Sequence, residues 1–268
     1  MAGFFEFSMM RLRTDIDQKI LAELFYQYLN VEEDFIRELF TNGETQLGRT
    51  FVHEPVLSFE NALTVLDYER AGEVIRTAKA IGVGLCYCRH RMEHLDRACG
   101  APMDICLTFN TTAASLIRHG VARKMDAAEG MDLLQKAYDH NLVQFGENVR
   151  DRVNFICNCC GCWKCVHVCP VEALGLVSAN HPGKPSKKKA LLNAGICLGC
   201  GLCVKACPKK MIKLVSREQR VITPVNGAHR ALAAVFGVIL GLPPLKRALA
   251  SGQVKSRYLE TLIRRRYS

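Results

Sequence analysis

Residues 155–170, FICNCCGCWKCVHVCP, carry six cysteines: Cys157, Cys159, Cys160, Cys162, Cys165 and Cys169. One frame through them returns 38 residues later, where CCGCWKCVHVCPVEALGLV (159–177) aligns with CLGCGLCVKACPKKMIKLV (197–215). Cys159, Cys162, Cys165, Cys169 and Pro170 then fall on Cys197, Cys200, Cys203, Cys207 and Pro208, and Leu174, Leu176 and Val177 on Ile212, Leu214 and Val215. An internal repeat of this kind marks two copies of one structural unit. A frame begun at Cys157 reaches Cys160 and then lands on Trp163, so it fails.

The spacing C-x2-C-x2-C-x3-C-P is the ligand run of bacterial ferredoxins, in which the fourth cysteine serves the other cluster. Three cysteines two residues apart wrap a loop around one cubane and bring backbone N–H groups to its sulfurs. The fourth, followed by proline, turns away. Two 4Fe-4S clusters are therefore expected: cluster I on Cys159, Cys162, Cys165 and Cys207, cluster II on Cys197, Cys200, Cys203 and Cys169. C-x2-C also suits zinc, but two complete runs with proline in place favour iron–sulfur chemistry.

The remaining composition agrees. Fourteen cysteines in 268 residues fall into three tight groups, at 86–106, 157–169 and 197–207. A small disulfide-stapled domain would scatter them; clustering points to metal ligation in a reducing compartment. No basic start followed by a long apolar run opens the chain, and the apolar stretch 231–245 is too short to span a bilayer. A cytoplasmic location is expected. Residues 1–150 hold 16 Lys and Arg against 22 Asp and Glu, whereas residues 151–268 hold 20 against 4. Such asymmetry supports a boundary near residue 150.

The first half reads mostly as helix. In TDIDQKILAELFYQYLN, Ile16, Ile20, Leu21, Leu24, Phe25 and Tyr28 recur at helical spacing, with Thr14 or Asp15 as N-cap. ENALTVLDYERAGEVIRTAKAIG repeats the pattern through Leu63, Leu66, Val74, Ile75 and Ala78. Asp126 and Glu129 have capping-box spacing before GMDLLQKAYDHNLVQFG. The expected class is α+β: a mainly helical domain at 1–150 with a Cys-rich CxCRH segment at 86–106, a bacterial-type dicluster ferredoxin domain at 155–216, and a basic, partly apolar C-terminal extension at 217–268. SANHPGKPSKKKALLN, between the two runs, reads as a polar, basic loop.

Cys86, Cys88, Cys99 and Cys106 form C-x-C-x10-C-x6-C, which fits no generic ligand motif. A third iron–sulfur cluster, a zinc ion with His90 or His94 replacing a thiolate, and a set of unliganded thiols are all open. For a cluster, Arg89 and Arg91 would offset thiolate charge, and Tyr87, Met92 and Leu95 would exclude water. His53, His119 and His140 read as ordinary core or surface residues.

GLCYCRHRMEHLDRACGAPMDICLTF, NFICNCCGC and the two ferredoxin runs together resemble multi-cluster 4Fe-4S ferredoxin-like proteins of anaerobic bacteria. The resemblance implies electron transfer, and it favours a cluster at Cys86, Cys88, Cys99 and Cys106. In that family a few tens of residues separate the CNCCGC segment from the first ferredoxin run, whereas here the two abut. Cys159 can accordingly belong to either element, and Cys157 and Cys160 become additional ligands of the third cluster or of a further one.

The leading expectation is an electron carrier. Its alternatives are a subunit of a redox enzyme with a substrate-binding cluster at the CxCRH segment, where Arg89, His90 and His94 would bind an anion or move protons, and a redox-sensing regulator. The basic half suits an acidic redox partner or a larger redox complex. Its apolar run with a basic flank would also suit peripheral membrane contact. No recognition helix or aromatic-rich basic stripe points to nucleic acid.

Overall fold

A computed structural model describes residues 13, 15–30, 48–57, 59–62, 65–159, 173–178, 188–207, 212–215 and 223–231. At its centre six antiparallel strands form one sheet in the order β1-β5-β6-β3-β2-β4. The strands are β1 (Gly48–Thr50), β2 (Ile81–Leu85), β3 (Asp104–Phe109), β4 (Arg123–Met125), β5 (Val143–Glu147) and β6 (Phe155–Cys159).

Alternation of side chains explains which way the sheet faces. Ile81 and Val83 on β2, Leu107 and Phe109 on β3 and Ile156 on β6 bury together with Ile75, Leu134 and Phe51 in one core. Two helices supply the other half of that core: α3 (Ala71–Thr77), through Val74 and Ile75, and α6 (Ala127–Asp139), through Leu134 and Tyr138. Each fully buried Ile or Leu contributes roughly 1.5–3 kcal/mol. The opposite face is covered by α5 (Asn110–Arg118), which packs on β2 and β3. Between β2 and β3 runs α4 (Tyr87–Glu93).

Helix is therefore only part of residues 1–150. The strands were illegible because they are three to six residues long and glycine interrupts them, as in IGVGL and VQFGE. The CxCRH segment at 86–106 is built into the sheet: it forms the β2–α4–β3 connection and the first residues of β3. The sheet also runs past residue 150, because β6 pairs with both β3 and β5. The first residues assigned from sequence to the ferredoxin domain thus complete the N-terminal sheet.

Other differences have local causes. In α1 (Gln18–Asn30) the first turn is capped by Asp17, whose Oδ1 accepts from the backbone N–H of Lys19 and Ile20 at 2.9 and 3.0 Å, rather than by Asp15; Thr14 lies outside the described residues. Ala22 is buried in that helix, while Ile20 and Leu24 are exposed. The single helix suggested for 60–82 is broken into α2 (Phe59–Ala62), a 3-10 turn at Asp67–Glu69, α3 and the start of β2, leaving Leu66 exposed. Asp126 caps α6 as its spacing predicts, Oδ1 accepting from Glu129 N at 2.8 Å. After that helix and its C-cap His140, Asn141 takes φ 53° and the chain re-emerges as β5.

In the second half, β7 (Leu174–Ser178) pairs antiparallel with β8 (Lys188–Leu192). The segment read as a polar loop therefore ends in a strand, supplied by its Ala-Leu-Leu. A short helix, α7 (Leu202–Ala206), follows the second cysteine loop. Residues 223–231 return to the N-terminal unit: Arg150 N donates to Pro224 O and Asp151 N to Val225 O, both at 2.8 Å, and Arg230 pairs with Glu147 at 3.2 Å. Among the described residues no helix is long and apolar enough to cross a membrane. The apolar run and the arginine-rich tail beyond residue 231 lie outside the described residues.

Candidate metal centre

Of the ferredoxin ligand set, the loop of the second repeat, CLGCGLC (197–203), is described together with Cys159 and Cys207. Cys197, Cys200, Cys203 and Cys207 are half-buried, and none of the ten described cysteines is in a disulfide. Gly199 and Gly201 take φ of +68° and +84°, a left-handed backbone that L side chains rarely adopt. Gly199 N–H donates to Cys197 Sγ at 3.4 Å. Turns of this kind gather backbone N–H groups into an anion-binding concavity. Soft thiol donors with N–H groups turned towards sulfur fit a cubane cluster, whose thiolates such donors stabilise. Cys207 caps α7 at its C-terminal end in extended conformation. Cys160, Cys162, Cys165 and Cys169 lie outside the described residues.

This loop is seated on the N-terminal unit. A Cβ at Gly201 would come within 2.8 Å of Val56 Cγ2, in the 3-10 turn Glu54–Val56, and within 3.5 Å of His53 Cβ. Lys205 Nζ donates to Tyr138 O at 2.7 Å. His53 is 1% exposed, neither ring nitrogen has a hydrogen-bond partner, and its ring meets Tyr138 edge-on at 4.5 Å. Burial first, then the nearby Lys205 ammonium, pushes its pKa down to about 4.

A second group of sulfurs gathers within the N-terminal sheet. Cys86 ends the β2 connection as the N-cap of α4, Cys106 sits on β3, and Cys157 and Cys159 sit on β6. Hydrogen bonds join them in sequence, Cys86 to Cys106, Cys106 to Cys157 and Cys157 to Cys159. Bonding to Cys106 raises the Cys86 thiol, and bonding to Cys106 and Cys159 raises Cys157. Cys106, which accepts from Cys157 and Cys86, is held well below the ordinary thiol range, and Cys159 is lowered by Cys157. The group is a row rather than a cage: no three His, Cys, Asp or Glu donors among the described residues stand ready around a single metal ion. A cubane takes its ligands at four separate corners, so these thiols would have to part to hold one.

Arg89 is the counter-charge. It is 2% exposed, donating from Nε to Cys99 Sγ at 3.2 Å, from Nη2 to Asn158 O at 2.9 Å, and from Nη1 to Pro102 O. Burial opposes its charge, and Cys86, Cys99 and Cys106 more than offset that cost, so its pKa is raised. Arg91, expected in the same role, is buried with Nε unpartnered. His90 and His94 meet each other, Nε2 to Nε2 at 3.3 Å.

Of the four cysteines grouped from spacing, the structure brings Cys86 and Cys106 together, hangs Cys99 on Arg89, and places Cys88 at the surface. It adds Cys157 and Cys159. Asn158, between them, escaped sequence reading: it is fully buried, donates from Nδ2 to Ile105 O at 2.7 Å and accepts from Gln144 at 3.2 Å. Its signal was the Cys-Asn-Cys triplet, which on a strand puts both sulfurs on one face and the amide on the other.

Residues 158–211 match the 4Fe-4S dicluster domain, a stretch that contains both ferredoxin runs from Cys159 to Cys207. No curated protein and no solved structure matches the chain.

Proposed function

We propose that the chain relays single electrons through two 4Fe-4S clusters. Cluster II is held by Cys197, Cys200, Cys203 and Cys169. Cluster I is held by Cys162, Cys165 and Cys207 and completed from the 157–160 segment. The dicluster domain at 158–211 supports an iron–sulfur electron-transfer role. The observation that carries the reading is the 197–203 loop, with thiols at ligand spacing, left-handed glycines and an N–H on sulfur. When bound, the clusters supply one-electron chemistry, and this chain's residues set the environment that tunes their potentials. The loop's seat on Val56 and Tyr138 fixes one wall of cluster II and limits water there. The excess of Lys and Arg after residue 150 favours transient docking of an acidic redox partner, because complementary charge speeds encounter without demanding tight binding.

The test is iron and acid-labile sulfide on protein purified without oxygen. At least about eight of each per chain are expected, falling in Cys200→Ser, by the four-iron content of a cubane. Protein free of iron and sulfide but loaded with zinc would overturn the reading.

A further inference from the structure

One buried side chain of the N-terminal unit stands beside the second cysteine loop with its polar atoms unused. His53 is 1% exposed, and neither Nδ1 nor Nε2 has a hydrogen-bond partner among the described residues. A buried N–H left unpaired costs folding free energy, so such a group calls for a partner that these residues do not supply. Whatever its protonation state, an imidazole carries at least one N–H.

The polar groups nearest the ring are engaged elsewhere. Tyr138, whose ring meets His53 edge-on at 4.5 Å, donates its hydroxyl to Glu54 Oε1 at 3.4 Å. Its carbonyl accepts from Lys205 Nζ at 2.7 Å. Glu54 Oε1 also accepts from Gly72 N at 2.8 Å, and the carbonyl of His53 itself takes the N–H of Val56 at 3.1 Å. The other neighbour of His53 is the cysteine loop. Its Cβ lies 3.5 Å from where a Cβ at Gly201 would stand, and Gly201 falls between Cys200 and Cys203. Glycine at that position, at φ +84°, lets the loop backbone come close to His53 where a side chain would hold it off.

That loop carries three of the thiols assigned to cluster II. Four thiolates around a cubane core of about 2+ leave about two negative charges, and each electron taken up adds one more. An N–H donated to a cluster sulfur stabilises the added charge and so raises the potential.

We infer that His53 is a donor to cluster II: its ring N–H donates to a sulfur of the cluster held on the 197–203 loop and raises that cluster's potential. The inference rests on the iron–sulfur relay proposed above. His53 is not a ligand; through it the N-terminal unit tunes the electron-transfer site.

The anaerobic full-length protein, His53→Leu and His53→Gln are titrated potentiometrically and followed by electron paramagnetic resonance, with iron measured on each. Leucine should shift one of the two cluster potentials downward and leave the other in place. Glutamine, which keeps an N–H donor, should stay nearer the native value. In reduced protein labelled with nitrogen-15 histidine, pulsed resonance should show a nitrogen coupled to a cluster, and that coupling should vanish in His53→Leu. Unchanged potentials in His53→Leu overturn the inference. An equal downward shift in both variants overturns it too, because altered packing alone would produce that. Should the variants not hold iron, the labelled chain decides, with His167→Gln removing the histidine inside the first ferredoxin run. A coupling retained there supports His53 as the donor, and no coupling contradicts it. A native chain without reversible one-electron clusters sinks the relay reading, and this inference with it.

Discussion

Replacing Gly201 with alanine, beside Gly199→Ala as a control, probes how the second cysteine loop is seated. Both glycines have left-handed backbone, at φ +84° and +68°. An added Cβ there costs each variant roughly 1–2 kcal/mol. Their surroundings differ. At Gly199 the new methyl meets nothing within 4 Å, whereas at Gly201 it lies 2.8 Å from Val56 Cγ2 and 3.5 Å from His53 Cβ and Leu214 Cδ1. Valine cannot easily rotate away, since its branched Cβ restricts χ1. Overpacking of this kind adds about 1–3 kcal/mol. Gly201→Ala should therefore be the more damaging by that margin, or roughly tenfold in rate for each 1.4 kcal/mol. The assay is loss of iron–sulfur absorbance in guanidinium under argon, followed as a rate because cluster loss makes unfolding irreversible. Equal rates for the two variants would refute the packing of the 197–203 loop against the Glu54–Val56 turn.

Three further outcomes follow from single residues. His53, with its pKa pushed down to about 4 from an ordinary 6.5, stays neutral in the fold while the unfolded chain takes up a proton, so stability present above pH 6.5 is lost as pH falls towards 4. The loss approaches about 3 kcal/mol, and denaturation at a series of pH values should show it flattened in His53→Leu. Asp126→Ala removes the cap on Glu129 N and should cost about 1 kcal/mol in thermal or denaturant melts, with iron content unchanged. Asn158→Ala removes the donor to Ile105 O and leaves Gln144 Nε2 bonded to Leu142 O alone. It should cost about 1–3 kcal/mol and expose Cys157 and Cys159 to faster alkylation; an unchanged melting temperature would contradict the bonding described.

What the sequence revealed depended on the range of each interaction. The ferredoxin runs were legible because their ligand spacing is local, written within a dozen residues, and the match over 158–211 agrees with them. The Asp126 cap was legible for the same reason, acting over three residues. The sheet was not. β3 and β6 meet across nearly fifty residues of chain, and nothing local says that Cys106 lies beside Cys157. Reading 86–106 as a self-contained motif grouped four cysteines by spacing alone; in the fold Cys86 and Cys106 are buried, while α4 carries Cys88 to the surface. The charge asymmetry suggested a boundary at residue 150, yet a sheet closes by backbone pairing, which charge does not report. β6 and the 223–231 segment both return to the N-terminal unit across that line.

A potentiometric titration of the anaerobic protein, followed by electron paramagnetic resonance, tests the central claim most directly. An electron relay should show reversible one-electron steps at low potential, with the reduced clusters interacting magnetically and iron retained after repeated cycles. Clusters that accept no electron reversibly, or that are lost on the first reduction, would contradict it.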